Sequence, residues 1–275
     1  MEFDLHGKFY EAGEKLKGVV SHFYHIYHVA GEVPVIKHLA PSLEMLLVFN
    51  FGPAIAISFQ DQLPGEEFVE KIAVLGPLRK MLNYELLPGT DALVVNFVLD
   101  GFYRLFNVPV SGIADHDWNQ GHYLTELWDE LALLTDVQER IDLTGSFIVS
   151  VANQNEAAVM PLLAGEAYFF DPAIQPSKAI ASDAGLTERC IQLRFQKYAG
   201  YSPKELLRFL RFKAVINHLM KGDEKAGIFE LITGYQYHDQ SHLIKDFKYF
   251  LGVTPQQFIK TLKGRQFFIT GQDKK

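Results

Sequence analysis

Apolar residues follow two regimes along the 275-residue chain. Over roughly the first hundred positions they come in short runs: LEMLLVFNF, GPAIAISF, KIAVLGPL, MLNYELLPG and DALVVNFVL. Gly, Pro and Asn separate these runs, and β-branched and aromatic side chains fill them, so each predicts a strand. Strands at such close intervals predict a barrel or sandwich. From about Gly101 the spacing turns helical: Leu124, Leu127, Trp128, Leu131 and Leu134 share one face. The stretch VANQNEAAVMPLLAGEAYFFDPAIQPS, with three Pro, reads as a linker region with helical parts. Beyond it the pattern is almost wholly helical.

That helical third contains a repeat. LTERCIQLRFQKYAGYSPKELL (186–207) aligns with HDQSHLIKDFKYFLGVTPQQFI (238–259) at a constant offset of 52, for example 239 − 187. Ile191 meets Leu243, Phe195 meets Phe247, Tyr198 meets Phe250, Gly200 meets Gly252 and Pro203 meets Pro255. Two copies of one supersecondary unit explain this economically. In each copy Thr187 or Asp239 sits where an N-cap belongs, its side-chain oxygen able to accept from the free N–H groups of the first turn. An apolar stripe follows at i, i+4, i+7 and i+8, then a Gly stop and a Pro start. The opposite face is polar. In the second copy it carries Ser241, His242, Lys245, Lys248 and Tyr249; in the first, Arg189, Cys190, Gln192, Leu193, Gln196 and Lys197. Hydrogen-bonding and basic side chains at a helix N-terminus suit a helix lying in a DNA major groove. His238 and His242 are four apart, but Asp239 between them is better used as a cap and no third ligand is evident, so no metal is expected there.

Charge changes the picture more than composition does. The net charge is −7. From Gln175 onward, however, 17 Lys and Arg face 9 Asp and Glu, a net of +8, which leaves −15 for residues 1–174. An acidic front and a basic back point to two units with different partners, the basic one suited to a polyanion. The single cysteine, Cys190, excludes an internal disulfide and fits a reducing, cytoplasmic setting. No secretion signal or membrane span is expected from the hydropathy.

GYQYHDQSHLIKDFKYFLGVTPQQFI resembles the signature of the AraC/XylS family of bacterial transcription regulators. The match falls on Tyr237, Asp239, Gln240, Ser241, His242, Leu243, Phe247, Lys248, Gly252, Thr254 and Pro255. Gln236 stands where relatives have Gly, and Ile232 where they have a small residue. AGLTERCIQLRFQKYAGYSPKELL resembles the family's first helix-turn-helix, and LLRFLRFKAVINHLM the long helix that joins the two. The resemblance implies two helix-turn-helix units in successive major grooves of double-stranded DNA. It assigns base readout to Arg189, Gln192, Leu193, Ser241, His242 and Lys245. Phosphate contacts fall to Gln196, Lys197, Lys204 and Lys248, with Thr187 and Asp239 as helix caps. HLAPSLEMLLVFNFG, VLGP and NFVLDGFYRLFNVPV resemble a β-rich domain that precedes this module in relatives and serves as a sensor or dimerisation surface.

The expected fold is therefore α+β in two domains. A cupin-like β-barrel or sandwich with following helices precedes an all-α domain of two helix-turn-helix units joined by a long helix. Expected boundaries are 1–110 for the β-rich effector or dimerisation domain, 111–160 for a helical extension and linker, and 161–265 for the DNA-binding domain. The expected function is sequence-specific transcriptional regulation, modulated by a small molecule or by homodimerisation, with RNA polymerase as a partner if the protein activates. Tyr24, Phe49, Phe97, Tyr103 and Arg104 are the ligand-pocket candidates, although aromatics so spaced also build cores. His22, His25 and His28 recur at i, i+3, i+6, but a strand turns His25 away from the other two. No P-loop, dinucleotide fingerprint, zinc-ligand set or Ser-His-Asp set appears, so no cofactor and no enzymatic activity are expected. Two other readings stay open: a small-molecule-binding protein or enzyme with a partner-binding tail, and a homo-oligomeric interaction protein.

Overall fold

A computed structural model describes residues 6–113, 122–171, 173–220, 232–262 and 267–268. Two five-stranded sheets form the front. The first has the order β1-β2-β9-β4-β7, with β1 Gly7–Glu11, β2 Val20–Tyr27, β4 Leu46–Asn50, β7 Ile72–Leu75 and β9 Asp91–Phe97. The second has the order β10-β3-β8-β5-β6, with β3 Val35–Leu39, β5 Ile55–Phe59, β6 Glu67–Val69, β8 Leu82–Leu86 and β10 Phe267–Phe268. All pairings are antiparallel except β10 on β3.

Alternation along the strands divides the core. Leu46, Val48, Ala92 and Val94 meet Ile55, Ile57, Leu82, Tyr84 and Leu86 between the sheets. Leu47, Phe49, Leu93, Val95 and Phe97 face the other way, into a second core shared with the helices. Strands β4 and β9 in the middle of the first sheet are thus buried on both faces, which is why Leu46–Phe49 is a continuous apolar run and not an alternating one.

The helices that follow do not hang free. α1 (Gly101–Phe106) packs Phe102 edge-on to Phe97. α2 (His122–Ala132) and α3 (Val137–Val151) lie against the first sheet. The Trp128 indole N–H donates to Asn50 O at 2.8 Å, and its ring stacks on Phe51. Arg140, buried, donates to the carbonyls of Leu131 and Leu134 and pairs with Asp91 at 2.7 Å. Segment 111–160, expected as an extension and linker, is in its described parts an element of the second core.

The back is helical: α4 (Met160–Ala164), α5 (Pro176–Ala184), α6 (Glu188–Ala199), α7 (Pro203–Met220) and α8 (Gln240–Leu251). The expected boundary at residue 265 lies outside the described residues. Among the described residues no helix is long and apolar enough to cross a membrane.

Candidate nucleic-acid interface

α6 and α8 are built alike. Thr187 Oγ1 accepts from Cys190 N at 3.2 Å, and Asp239 Oδ1 from His242 N at 2.8 Å, each taking up a first-turn donor. Both helices end at a glycine in the left-handed region, Gly200 at φ +79° and Gly252 at φ +78°. Their stripes are buried: Ile191, Phe195 and Tyr198 in α6, Leu243, Phe247 and Phe250 in α8. α8 leans on α7, where Phe212 stacks on Phe250 at 4.4 Å and meets Phe247 edge-on, while α6 packs on α5.

One group on the buried side of α8 has no counterpart in the apolar pattern. Asp246 is 1% exposed. Its Oδ1 accepts from Arg208 Nε at 2.7 Å, and its Oδ2 from Tyr237 Oη at 3.1 Å, with Arg211 Nη2 at 3.7 Å. This network ties α8 to α7 through charge as well as packing. Arg211 Nη2 also reaches His242 Nε2 at 3.2 Å. Since a guanidinium only donates, the His242 ring accepts there and carries its proton on Nδ1. Nothing in the apolar stripe marked Asp246. The usable signal was its place beside the core residue Phe247, where an unpaired charge is not tolerated.

The outer face is open. Arg189, Leu193, Ser241 and Lys245 are exposed, and Gln192 and His242 half-buried. Gln196, Lys204 and Lys248 are exposed as well. Lys197 is half-buried and already engaged: its Nζ lies 3.0 Å from Glu156 Oε2, over the rings of Tyr103 and Tyr198. Glu156 also accepts from Tyr103 Oη at 2.5 Å and from Tyr198 Oη. The two phenols and then the ammonium hold its carboxyl down to about 2, and the same partners push the Lys197 ammonium above its ordinary value.

The carboxyl ends of both α6 and α8 dock on the β unit. Gln60 Nε2 donates to Lys248 O at 3.0 Å and Tyr249 O at 2.9 Å, and Met81 N donates to Phe250 O at 2.7 Å. Arg79 donates to Gly200 O and lies 3.7 Å from Glu205. The clamp stands on a braced loop. Buried Asn83 donates to Ser58 Oγ, Gln60 O and Gln62 O, fixing the turn after β5. At Gly252 an added Cβ would lie 2.7 Å from Asp61 N, and at Gly200 2.6 Å from Pro77 Cγ. Only glycine allows both the backbone turn and the close approach.

The five pocket candidates do not line one space. Tyr24 packs on the inter-sheet side. Phe49 and Phe97 are at most 1% exposed in the helix-side core. Tyr103 and Arg104 border an open depression of about 250 Å³ with Asn107, Asn153, Gln154 and Glu156. Arg104 is spent on backbone there, donating to Asn153 O at 2.7 Å and Gly18 O at 2.8 Å.

A family model described as a helix-turn-helix domain matches residues 180–261, which run from the middle of α5 to ten residues past α8. Residues 180–261 are an AraC-type DNA-binding domain. The chain that carries this AraC-type domain is a DNA-binding transcription regulator. None of the curated proteins matches it in sequence. Among solved structures, ToxT from Vibrio cholerae in a P21 form is similar over 93% of this chain and 98% of that one, at 11% identity and a TM-score of 0.42. ToxT from Vibrio cholerae O395 covers 94% and 98% at 14% identity and 0.41. The same protein bound to (E)-4-(8-methylnaphthalen-1-yl)but-3-enoic acid covers 94% and 99% at 12% identity and 0.41.

Proposed function

We propose that this regulator reads two successive major grooves, with the amino-terminal halves of α6 and α8 as the reading edges. Arg189, Gln192 and Leu193 would address one half-site, and Ser241, His242 and Lys245 the other. Gln196, Lys197, Lys204 and Lys248 would hold phosphates. The observation that carries this reading is the asymmetry of the two helices: capped and exposed at their N-terminal ends, clamped by one β surface at their C-terminal ends. Clamping both at the same end sets their mutual spacing, and half-site spacing is what a paired reader must match.

Control would be exerted away from that clamp, at the Lys197–Glu156 pair. Glu156 occupies the Lys197 ammonium that a phosphate would otherwise take, and it lines the 250 Å³ depression beside Tyr103. A small molecule that engages Glu156 would release Lys197 to the duplex, coupling effector to affinity through one ion pair.

Selection of bound duplexes from a random pool tests the reading. A consensus of two short half-sites is expected. His242→Ala should relax preference at a few base pairs by about 1–3 kcal/mol each. Equal weakening on every sequence, or no consensus, would refute base readout by α8.

A further inference from the structure

The third histidine of SHFYHIYHV ends in a cluster that spacing along the strand does not reveal. His22 stacks on Phe9 at 4.7 Å, and His25 pairs with Asp91 at 2.9 Å. His28, just past β2, has a side chain only 1% exposed. Its Nε2 lies 2.8 Å from Val33 O. A carbonyl only accepts, so Nε2 carries a proton, and it is the tautomer that leaves Nδ1 free to present a lone pair to a metal. That lone pair faces His6 Nδ1 at 3.0 Å and Glu32 Oε2 at 3.2 Å. The three donor atoms all lie within 4.8 Å of one another.

We propose that His6, His28 and Glu32 form a binding site for a divalent transition metal of the zinc class. Two imidazoles and one carboxylate are the ligand set such ions take, with a fourth position left for water. The spacing fits. Ligands about 2.0–2.1 Å from a tetrahedral ion sit about 3.3 Å apart, close to the two short separations seen here. The Val33 carbonyl supplies the outer partner that fixes the tautomer and orientation of a metal-bound histidine. With the His28 N–H given to Val33 O, its Nδ1 lone pair and the Glu32 oxygen both face the same point as acceptors, which a cation at the centre would satisfy together.

The placement gives the ion a structural task. His6 immediately precedes β1, which among the described residues pairs only with β2, at the rim of the first sheet. Glu32 and Val33 belong to the connection from β2 to β3, which crosses to the second sheet. An ion held by all three joins the edge strand to that crossing.

The test uses the full chain, stripped with chelator and titrated with Co²⁺ while its visible absorption is followed, then competed with Zn²⁺. One saturable equivalent is expected. His6→Ala and Glu32→Gln, both at partly or fully exposed positions, should each weaken binding at least about 100-fold, more than loss of an outer partner does. His238→Ala, at an exposed histidine, should not. The proposal fails if no equivalent saturates, or if one does and survives both substitutions unchanged.

Discussion

Gly252 offers the sharpest handle on the clamp. Placing alanine there has two separable costs. The first is the left-handed backbone at φ +78°, worth about 1–2 kcal/mol for a residue with a Cβ. The second is contact: the new Cβ would lie 2.7 Å from Asp61 N and from Gln60 Cβ, and the former is backbone that cannot swing aside. Overpacking of that kind costs about 1–3 kcal/mol more. Gly185, at the end of α5, supplies the control, with φ +62° and nothing within 4 Å of its Cβ position. Urea denaturation should therefore give about 2–5 kcal/mol of destabilisation for Gly252→Ala and about 1–2 for Gly185→Ala. Hydrogen exchange gives a second readout. The Met81 amide, which donates to Phe250 O, should exchange faster in Gly252→Ala and unchanged in Gly185→Ala. Equal destabilisation by the two variants, with Met81 protected in both, would refute the close approach of α8 to the β unit.

Other expectations are as direct. Gln236 holds φ +56°, where relatives in the resembled family have Gly, so Gln236→Gly should stabilise the protein by about 1 kcal/mol, read as a rise in urea midpoint. Glu44 has a buried, unpartnered Oε2; burial raises its carboxyl from 4.5 to about 7, against the pull of Lys213. The folded state therefore binds the extra proton between those values, and stability contributed by the protonated form is lost as pH rises towards 7, by up to ~3 kcal/mol. Glu44→Gln should abolish that slope, so that melting temperatures of variant and parent diverge from pH 5 to pH 8; parallel curves would contradict it. Glu156→Gln should free Lys197, raise DNA affinity and steepen the salt dependence by about one unit, measured by fluorescence anisotropy across salt concentrations. An unchanged slope would leave Lys197 without a phosphate role.

The helical back was readable because its determinants are local. Cap, stripe, Gly and Pro all fall within about two dozen residues of each other and occur twice, so each copy vouches for the other. Asp246 escaped because its meaning lies in Arg208 and Tyr237, partners that no periodicity connects to it. The front shows the same division. The apolar runs at β4, β5, β7, β8 and β9 stood out, but not that β9 lies between β2 and β4, because pairing order depends on contacts distant in sequence. Four of the five pocket candidates, Tyr24, Phe49, Phe97 and Tyr103, are aromatic, and aromatic character alone does not say which face of a strand or helix a residue takes. One residue of parity separates Val48, between the sheets, from Phe49, against the helices. The clamp was invisible for a related reason: Gly252 and Gln60 are ordinary turn residues until the fold sets one against the other.

Strand β10 gives the architecture a last property. Its two residues, Phe267 and Phe268, run parallel to His38 and Leu39 of β3, so the chain returns to the second sheet after α8. The helical back is thus an excursion with both feet planted in the same sandwich, not a pendant on a tether. It is held to the second sheet at two places, the ladder of β10 on β3 and the contacts of Gln60, Arg79 and Met81, so loosening that sheet would loosen both.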